Sequence, residues 1–537
     1  MSRFLLLFFL LLKTVFSTAQ PWQWTLPVGE AGNESIVAME LDVEDNVIAT
    51  GTFTERLQIR GDLMTSNGLE DLWLAKISPE GDVIWSLGGG GIRQDEAVDV
   101  ATDSEDNIYW LGFFRENIQI GGWSAISGSA FKSIFILKIS PGGDIIWAKT
   151  LTGIGSKGAG KMTLDAAENL LITGFFTDSL QLDDRHFSAT AGDFFLLKMN
   201  KDGDLDWFYQ SGLEGTIEGK SAVVLSDGNI AVAGTFQGKV KFDSDTLMTN
   251  TPDSDVFLAL FSEEGLPLWS RKAGGVYPAI CTGLAADDAD NLYLTGRHTG
   301  VIKLSDDIQI QTQGLNDNFF LLAYNATGAP LWARSYGGSR AEQVDDIRFW
   351  QNQLILTGAH AGDLQVDGRE IKLERGQYGA FVATFSTAGN LLNICTVSSD
   401  EFVLGNALAV GSSGEVLAGF SFSRNTFLDA NPLTSNGFFD VLIGKLNAGF
   451  TPVADFESED FAPVVFPNPA KEGAAIRFKN DFYNYNFQLF DARGRLLFGG
   501  KTARETQMPF LPKGLYFLKL NPENEPDRGK IYKLIIY

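Results

Sequence analysis

The residues of this 537-residue chain best suited to chemistry are few: three histidines, two cysteines and a series of acid-rich turns. His298 and His360 each stand two places after a recurring glycine, at positions where earlier copies of a repeat carry Phe53, Phe114, Phe176 and Phe236. If neighbouring copies adjoin, the two imidazoles face a shared surface, which suits a metal pair or a proton-transfer site. No carboxylate at fixed spacing accompanies them, so a polar substitution at the rim of a repeat is the simpler reading. His186, the third histidine, lies in a short predicted hairpin. The acidic turns are Asp42-Val-Glu-Asp-Asn46, Asp103-Ser-Glu-Asp-Asn107 and Asp287-Asp-Ala-Asp-Asn291. Asp42, Asp103 and Asp287 are therefore the candidate Ca²⁺ ligands, the one cofactor the sequence suggests. None has the Asp-x-Asp-x-Asp-Gly spacing of a dedicated calcium loop, and Asp and Asn also serve tight turns by bonding their own backbone. Cys281 and Cys395 are too few for a disulfide framework or a common zinc module. Assigned to the fifth and seventh copies of the repeat, which would not adjoin in a ring, they read as small buried hydrophobes.

Composition sets the background for these groups. With 58 Gly, 41 Phe, 11 Trp and only 20% charged residues, the chain can bury a large core and is not disordered. A net charge of −25 argues against nucleic acid as a partner, because phosphate binding needs a basic stripe. Arg3, the apolar run Phe4 to Leu12, Lys13 and the small residues Ser17 and Ala19 read as a signal peptide over residues 1–19. That run is too short for a bilayer, and no later stretch reaches the roughly 18 apolar residues of a membrane helix, so no transmembrane segment is expected. Residues 20–463 carry 28 basic and 60 acidic side chains, whereas 464–537 carry 12 and 7. The sign change marks a domain boundary, and the acidic, proline-flanked stretch 450–463 reads as its linker.

Positioning falls to a repeat of about 61 residues. Tryptophans recur at 24, 85, 147, 207, 269 and 332, and the next step in the series lands on Asn393. Glycines at 51, 112, 174, 234, 296, 358 and 419 follow apolar runs in the same register, so two markers count seven copies. Each copy reads as strands joined by tight turns, with Asp-Gly, Glu-Gly or Gly-Gly supplying positive φ before the Trp strand. Ile108, Trp110 and Phe114 on one parity and Tyr109, Leu111 and Phe113 on the other bury both faces of a strand, as sheets sandwiched between neighbours require. Trp24 lacks a preceding strand and Val441 to Leu446 lacks a following one, so these two are expected to pair and close a ring. The Trp series invites comparison with quinone-cofactor propellers, but strict register suits packing between copies better.

Leu87-Gly-Gly89 with Asp103 to Gly112, and Ala273-Gly-Gly275 with Asp287 to Gly296, resemble the bacterial seven-bladed β-propeller repeat family. The resemblance covers residues 22–449 and implies an all-β chain whose body, residues 20–449, is a seven-bladed β-propeller. It is weakest in the last copy, where Asn393 replaces Trp and Gly414 replaces the turn Asn. Residues 464–537 carry, in order, Phe466-Pro-Asn-Pro469, Leu489-Phe-Asp-Ala-Arg-Gly494, Leu511-Pro-Lys-Gly-Leu-Tyr516 and Lys533-Leu-Ile-Ile-Tyr537. Together these resemble the C-terminal sorting domain of the type IX secretion system of Bacteroidota, a small immunoglobulin-like β-sandwich. Pro467, Asn468, Pro469, Asp491, Gly494, Gly514, Tyr516 and Lys533 are the positions that carry the match. The resemblance implies passage through the periplasm to the cell surface or medium, with the secretion machinery as partner. Two function classes stay open. The first is a non-catalytic propeller that binds a glycan, protein or envelope component. The alternative is a secreted polysaccharide hydrolase or lyase whose acidic residues converge near the axis from several copies.

Overall fold

The computed structural model describes residues 22–446, apart from positions 213, 244, 313–315, 339, 374–375 and 429–431, and six strand segments between 465 and 536. The signal-peptide reading of 1–19 and the linker reading of 450–463 fall outside the described residues. The chain divides into two units, Met1–Val453 and Ala454–Tyr537, and no helix occurs among the described residues.

Four antiparallel strands form the repeating element of the first unit. In copy one, Glu34–Leu41 pairs with Val47–Phe53, which pairs with Asp71–Ile77, which pairs with the outer strand Val83–Gly90. The second and third strands are buried at every position. Copies two to six repeat the pattern, with innermost strands Glu96–Thr102, Lys157–Leu164, Glu214–Val224, Ala279–Ala286 and Glu342–Trp350. The last copy has Val403–Val410 innermost, then Val416–Phe422 and Asp440–Leu446. Its outer strand comes from the far end of the chain. Trp22–Val28 pairs antiparallel with Asp440–Leu446, with Leu26 opposite Ile443 and Val28 opposite Val441. The expected closure by Trp24 and Val441 to Leu446 is the pairing observed. Each innermost strand lies against the innermost strand of the next copy, and the last returns to Glu34–Leu41, so these strands form one closed cycle. The architecture is β-propeller-like.

The tryptophan register has a packing cause. Each outer-strand indole lies over the turn between third and outer strands of the following copy. Trp24, Trp85, Trp147, Trp207 and Trp332 donate from Nε1 to the carbonyls of Pro79, Pro141, Lys201, Glu263 and Thr387 at 2.8–3.1 Å. A turn glycine admits the ring: a Cβ on Gly203, whose φ is +86°, would lie 3.2 Å from Trp147. Asn393 breaks the series because its outer strand precedes the copy whose third and outer strands are Asp440–Leu446 and Trp22–Val28. Those strands come from opposite ends of the repeat region, and no turn joins them for an indole to cover.

Strand pairing also shifts three assignments. The outer strand belongs to the copy before it, so Cys395, on Leu391–Ser399, lies in the sixth copy rather than the seventh. Cys281 and Cys395 thus sit in adjacent copies, yet both are free and buried. Gly414, at φ +92°, takes the place of the positive-φ residues Asp45 and Asp106, while Glu415 stands at the turn-Asn position. The hairpin expected at Leu180 to Ala189 is an extension of two long strands, Leu170–Leu182 and Arg185–Met199. Its far end pairs back onto the preceding outer strand, Leu151 opposite Leu182.

In the second unit, Leu496–Lys501, Tyr485–Asp491, Gly514–Pro522 and Lys530–Ile536 form a four-stranded antiparallel sheet in that order. Val465–Phe466 pairs separately with Arg477–Phe478.

Candidate functional site

Every innermost strand has a register irregularity at one level, where extra residues enter without a partner on the second strand. These positions are Val37, Val98, Lys161, Lys220, Thr282, Asp345 and Asn406, with Gly160 beside Lys161. Bulges re-aim side chains and sharpen strand twist. Here they recur next to a cavity of about 380 Å³, lined by residues of six innermost strands, among them Glu40, Asp99, Lys161, Ser221, Asp346 and Arg348. A larger groove of about 960 Å³ lies between copies five and six, lined by Arg334, Tyr336, Asp363, Asp367 and Glu370 among others.

The charges of the axial cavity are paired across it. Lys161, on the third innermost strand, forms an ion pair with Asp346 on the sixth. Arg348 reaches from the sixth strand to Glu40 on the first, Nη1 to Oε2 at 3.1 Å, and its Nε lies 3.6 Å from Asp346 Oδ2. Neither pair joins strands that neighbour one another in the cycle, so both bridges cross the opening. Backbone amides complete the acids: Met162 donates to Asp99 at 2.8 Å, and Ile347 and Leu408 donate to Asp346 at 2.9 and 3.1 Å. Burial pushes Asp99 up to about 7, with Lys161 and Arg348 opposing. Burial also works on Asp346, but the adjacent Lys161 and Arg348 outweigh it and hold that carboxyl below its usual range. One cavity therefore holds a carboxyl that titrates near neutrality and a carboxylate that stays ionised, the division of roles acid–base chemistry uses.

The sequence-derived histidines are elsewhere. His298 and His360 occupy the second strands of copies five and six, 1% and 2% exposed, and line neither cavity. His298 Nε2 bonds Ser335 Oγ at 2.9 Å, and His360 Nδ1 bonds the Gly362 carbonyl at 2.7 Å. Each ring packs on a phenylalanine of its own copy, Phe320 and Phe381, so the structure places them in separate cores rather than on a shared surface. His186 is exposed and pairs with Gln181. Burial pulls His298 down to about 4, outweighing the Gly300 backbone and Asp317. Its folded value lies below the unfolded one, so His298 should cost the protein stability as pH falls from about 6.5 to about 4, by roughly 3 kcal/mol in all. His298→Phe, which introduces the residue of copies one to four, should flatten that part of the pH–melting profile and leave stability near pH 7.5 within about 1 kcal/mol. An unchanged acid limb in calorimetry would remove His298 as its cause.

The acidic turns form a latch. Asp42 and Asp103 accept from the amides of Asn46 and Asn107 and meet Lys76 and Lys138 Nζ at 2.7 and 2.9 Å. Asp287 accepts from Asn291 and from the Tyr293 hydroxyl at 2.8 Å. Successive turns are also linked: Val43 N donates to Asp106 and Ser226 N to Asp290, each acceptor one copy ahead. Although burial raises Asp103, its bonds to Asn107 and Lys138 hold it below the usual range. The three candidate calcium residues are thus engaged in turn geometry and lysine or tyrosine contacts. Among the described residues, no group of three or more His, Cys, Asp or Glu is arranged to hold a metal ion. The Cys281 and Cys395 thiols are pushed by burial up to about 12, which leaves them protonated and unreactive.

Of the sorting positions, Asp491 stands opposite Tyr516, Gly514 opposite Ile536 and Lys533 opposite Phe517, so four of them meet in one sheet. Pro467, Asn468, Pro469 and Gly494 lie outside the described residues. Sequence reasoning missed Lys161, Asp346 and Arg348. The signal was present as charged residues on the innermost strands, Lys161 and Asp346 standing where the first two copies carry Ala38 and Asp99 and Arg348 where the first carries Glu40, but only pairing identifies those positions as axial.

Comparison with known proteins agrees with this division. Residues 464–536 match the secretion system C-terminal sorting domain, which marks the chain for type IX export to the cell surface or extracellular space. The chain shares 24% identity over 238 residues with an uncharacterized WD repeat-containing protein of Acanthamoeba polyphaga mimivirus, covering 37% of this chain and 17% of that protein. It shares 23% over 271 residues with the regulatory protein FlaEY of Caulobacter vibrioides, covering 47% and 28%. The chain thus spans less than a third of either relative. Among solved structures, phage phi92 endosialidase aligns at TM-score 0.36 and 9% identity over 95% of this chain and 87% of that one. The extracellular domain of a hybrid two-component system protein of B. thetaiotaomicron aligns at 0.24 and 11%, over 94% and 69%. Among the described residues, no helix is long and apolar enough to cross a membrane.

Proposed function

We propose that this chain is a Bacteroidota export cargo whose body is a seven-bladed β-propeller of the bacterial repeat family, acting as a non-catalytic scaffold that binds a glycan or protein outside the cell. The closed cycle of innermost strands supports the blade number. The observation that carries the non-catalytic reading is the commitment of Asp346 to Lys161, Arg348 and two backbone amides. A carboxylate so held is a cross-link between blades rather than a base free to take a proton. The type IX machinery is the partner of the tail, and no cofactor enters this reading. A second reading, hydrolysis or elimination on a polysaccharide, is favoured by Asp99, which shares the cavity and titrates near 7.

A glycan array and a polysaccharide-degradation screen on the exported protein test both. The scaffold reading expects saturable binding without product release, unaffected by Asp99→Asn. Product release abolished by Asp99→Asn would replace it with the enzymatic reading.

A further inference from the structure

The chain ends of the ring meet at a pair of acids. Glu34 opens the innermost strand of copy one, and Asp440 opens the third strand of copy seven. The Glu34 amide donates to the Phe439 carbonyl at 2.9 Å, which fixes the two residues side by side at the seam. Their side chains are buried, Glu34 at 1% and Asp440 at 3% exposure. Asp440 accepts from the amides of Asn436 and Gly437 at 3.0 and 3.3 Å. No donor meets either Glu34 oxygen in good hydrogen-bond geometry; its carboxyl faces Asp440 and the Glu30 backbone, and no lysine, arginine or histidine forms an ion pair with either acid among the described residues. Two adjacent carboxylates removed from water are strongly unfavourable unless a proton or a cation stands between them.

We propose that Glu34 and Asp440 bind a calcium ion that fastens the first blade to the last. Calcium fits because the donors are hard oxygens and its shell accepts backbone carbonyls and waters beside two carboxylates. Zinc fits poorly, since no nitrogen or sulfur ligand is at hand. Export to the cell surface or medium, marked by the tail, places the seam where calcium is supplied. The proposal is independent of whether the propeller binds or hydrolyses a glycan. Two other positions sharpen it. Glu342 holds the same register in copy six, is 1% exposed and likewise meets no donor in good hydrogen-bond geometry. It stands by Asn318, however, since a Cβ on Gly337 would touch both side chains, so it lacks a second acid at that place. At the seam between copies one and two, Asp71 and Asp95 draw on the amides of Asn67, Gly91 and Arg115.

A proton is the competitor, because burial and Asp440 together raise Glu34 to about 8. Thermal melting and calorimetric titration of the exported protein at about pH 8.5, with CaCl₂ and with MgCl₂ at matched ionic strength, decide between them. Calcium should raise the midpoint of the wild type and of Glu342→Gln by about 3 °C or more and bind with near-unit stoichiometry. Glu34→Gln and Asp440→Asn should each lose that shift and at least about tenfold in affinity. An equal calcium shift in Glu34→Gln would overturn the proposal by placing the ion elsewhere. Absence of any wild-type shift, with Glu34→Gln more stable than wild type at this pH, would overturn it in favour of a shared proton.

Discussion

A chain lacking Trp22–Val28 should fail to form the native ring. Among the described residues that strand is the one outer partner of Asp440–Leu446, and it places Trp22, Leu26 and Val28 at 9%, 2% and 1% exposure in two core clusters. Burial of three such side chains contributes on the order of 5–8 kcal/mol, comparable with the whole stability of a typical domain. Its loss also bares Leu442 and Ile443 on an unpaired edge, a template for aggregation. The expected result is loss of the cooperative calorimetric transition and of near-ultraviolet dichroism, with association of the chain. A truncated chain melting cooperatively within a few degrees of the intact one would show that closure is not what holds the ring.

Asp346→Ala should be the most damaging single substitution at the axis, costing about 3–5 kcal/mol. It strands Lys161 and Arg348 beside the cavity and leaves the Ile347 and Leu408 amides without their acceptor. Removing both partners of the pair in Asp346→Ala with Lys161→Met should recover part of the loss, because a missing pair costs less than a broken one. Asp99→Asn provides the opposite sign. The folded value of Asp99 lies above its unfolded value, so its contribution is full at low pH and is lost as pH rises from about 4 to about 7. Asp99→Asn should therefore be neutral or stabilising above pH 7, and chemical denaturation at two pH values separates the two. Equal losses for Asp99→Asn and Asp346→Ala would contradict the assignment of charge to Asp346 alone.

The ring was legible because its determinants repeat. Trp147 and Gly203 are 56 residues apart yet touch, and the same contact made six times writes itself into the sequence as a period. Closure was legible for the related reason that Trp24 lacked a strand before it. The axial charges were not, because Lys161 and Asp346 are 185 residues apart, stand in non-neighbouring copies and occur once. Glu34 and Asp440 likewise meet only because the cycle closes. His298 and His360 drew attention as exceptions in a phenylalanine column, and the structure keeps them where that column lies, inside the blades. The acidic turns were read by composition as a choice between calcium and turn chemistry. What composition could not supply was Lys76 and Lys138, which approach from the third strand of the same copy.

The central claim is that a propeller body is carried outside the cell by a separable tail. Its most direct test is surface proteolysis and fractionation of the native host, expressing either the intact chain or one ending at residue 463. The intact body should reach the surface or medium, and the shortened chain should accumulate in the periplasm as a folded, protease-resistant ring. Equal surface exposure of both chains would contradict the account.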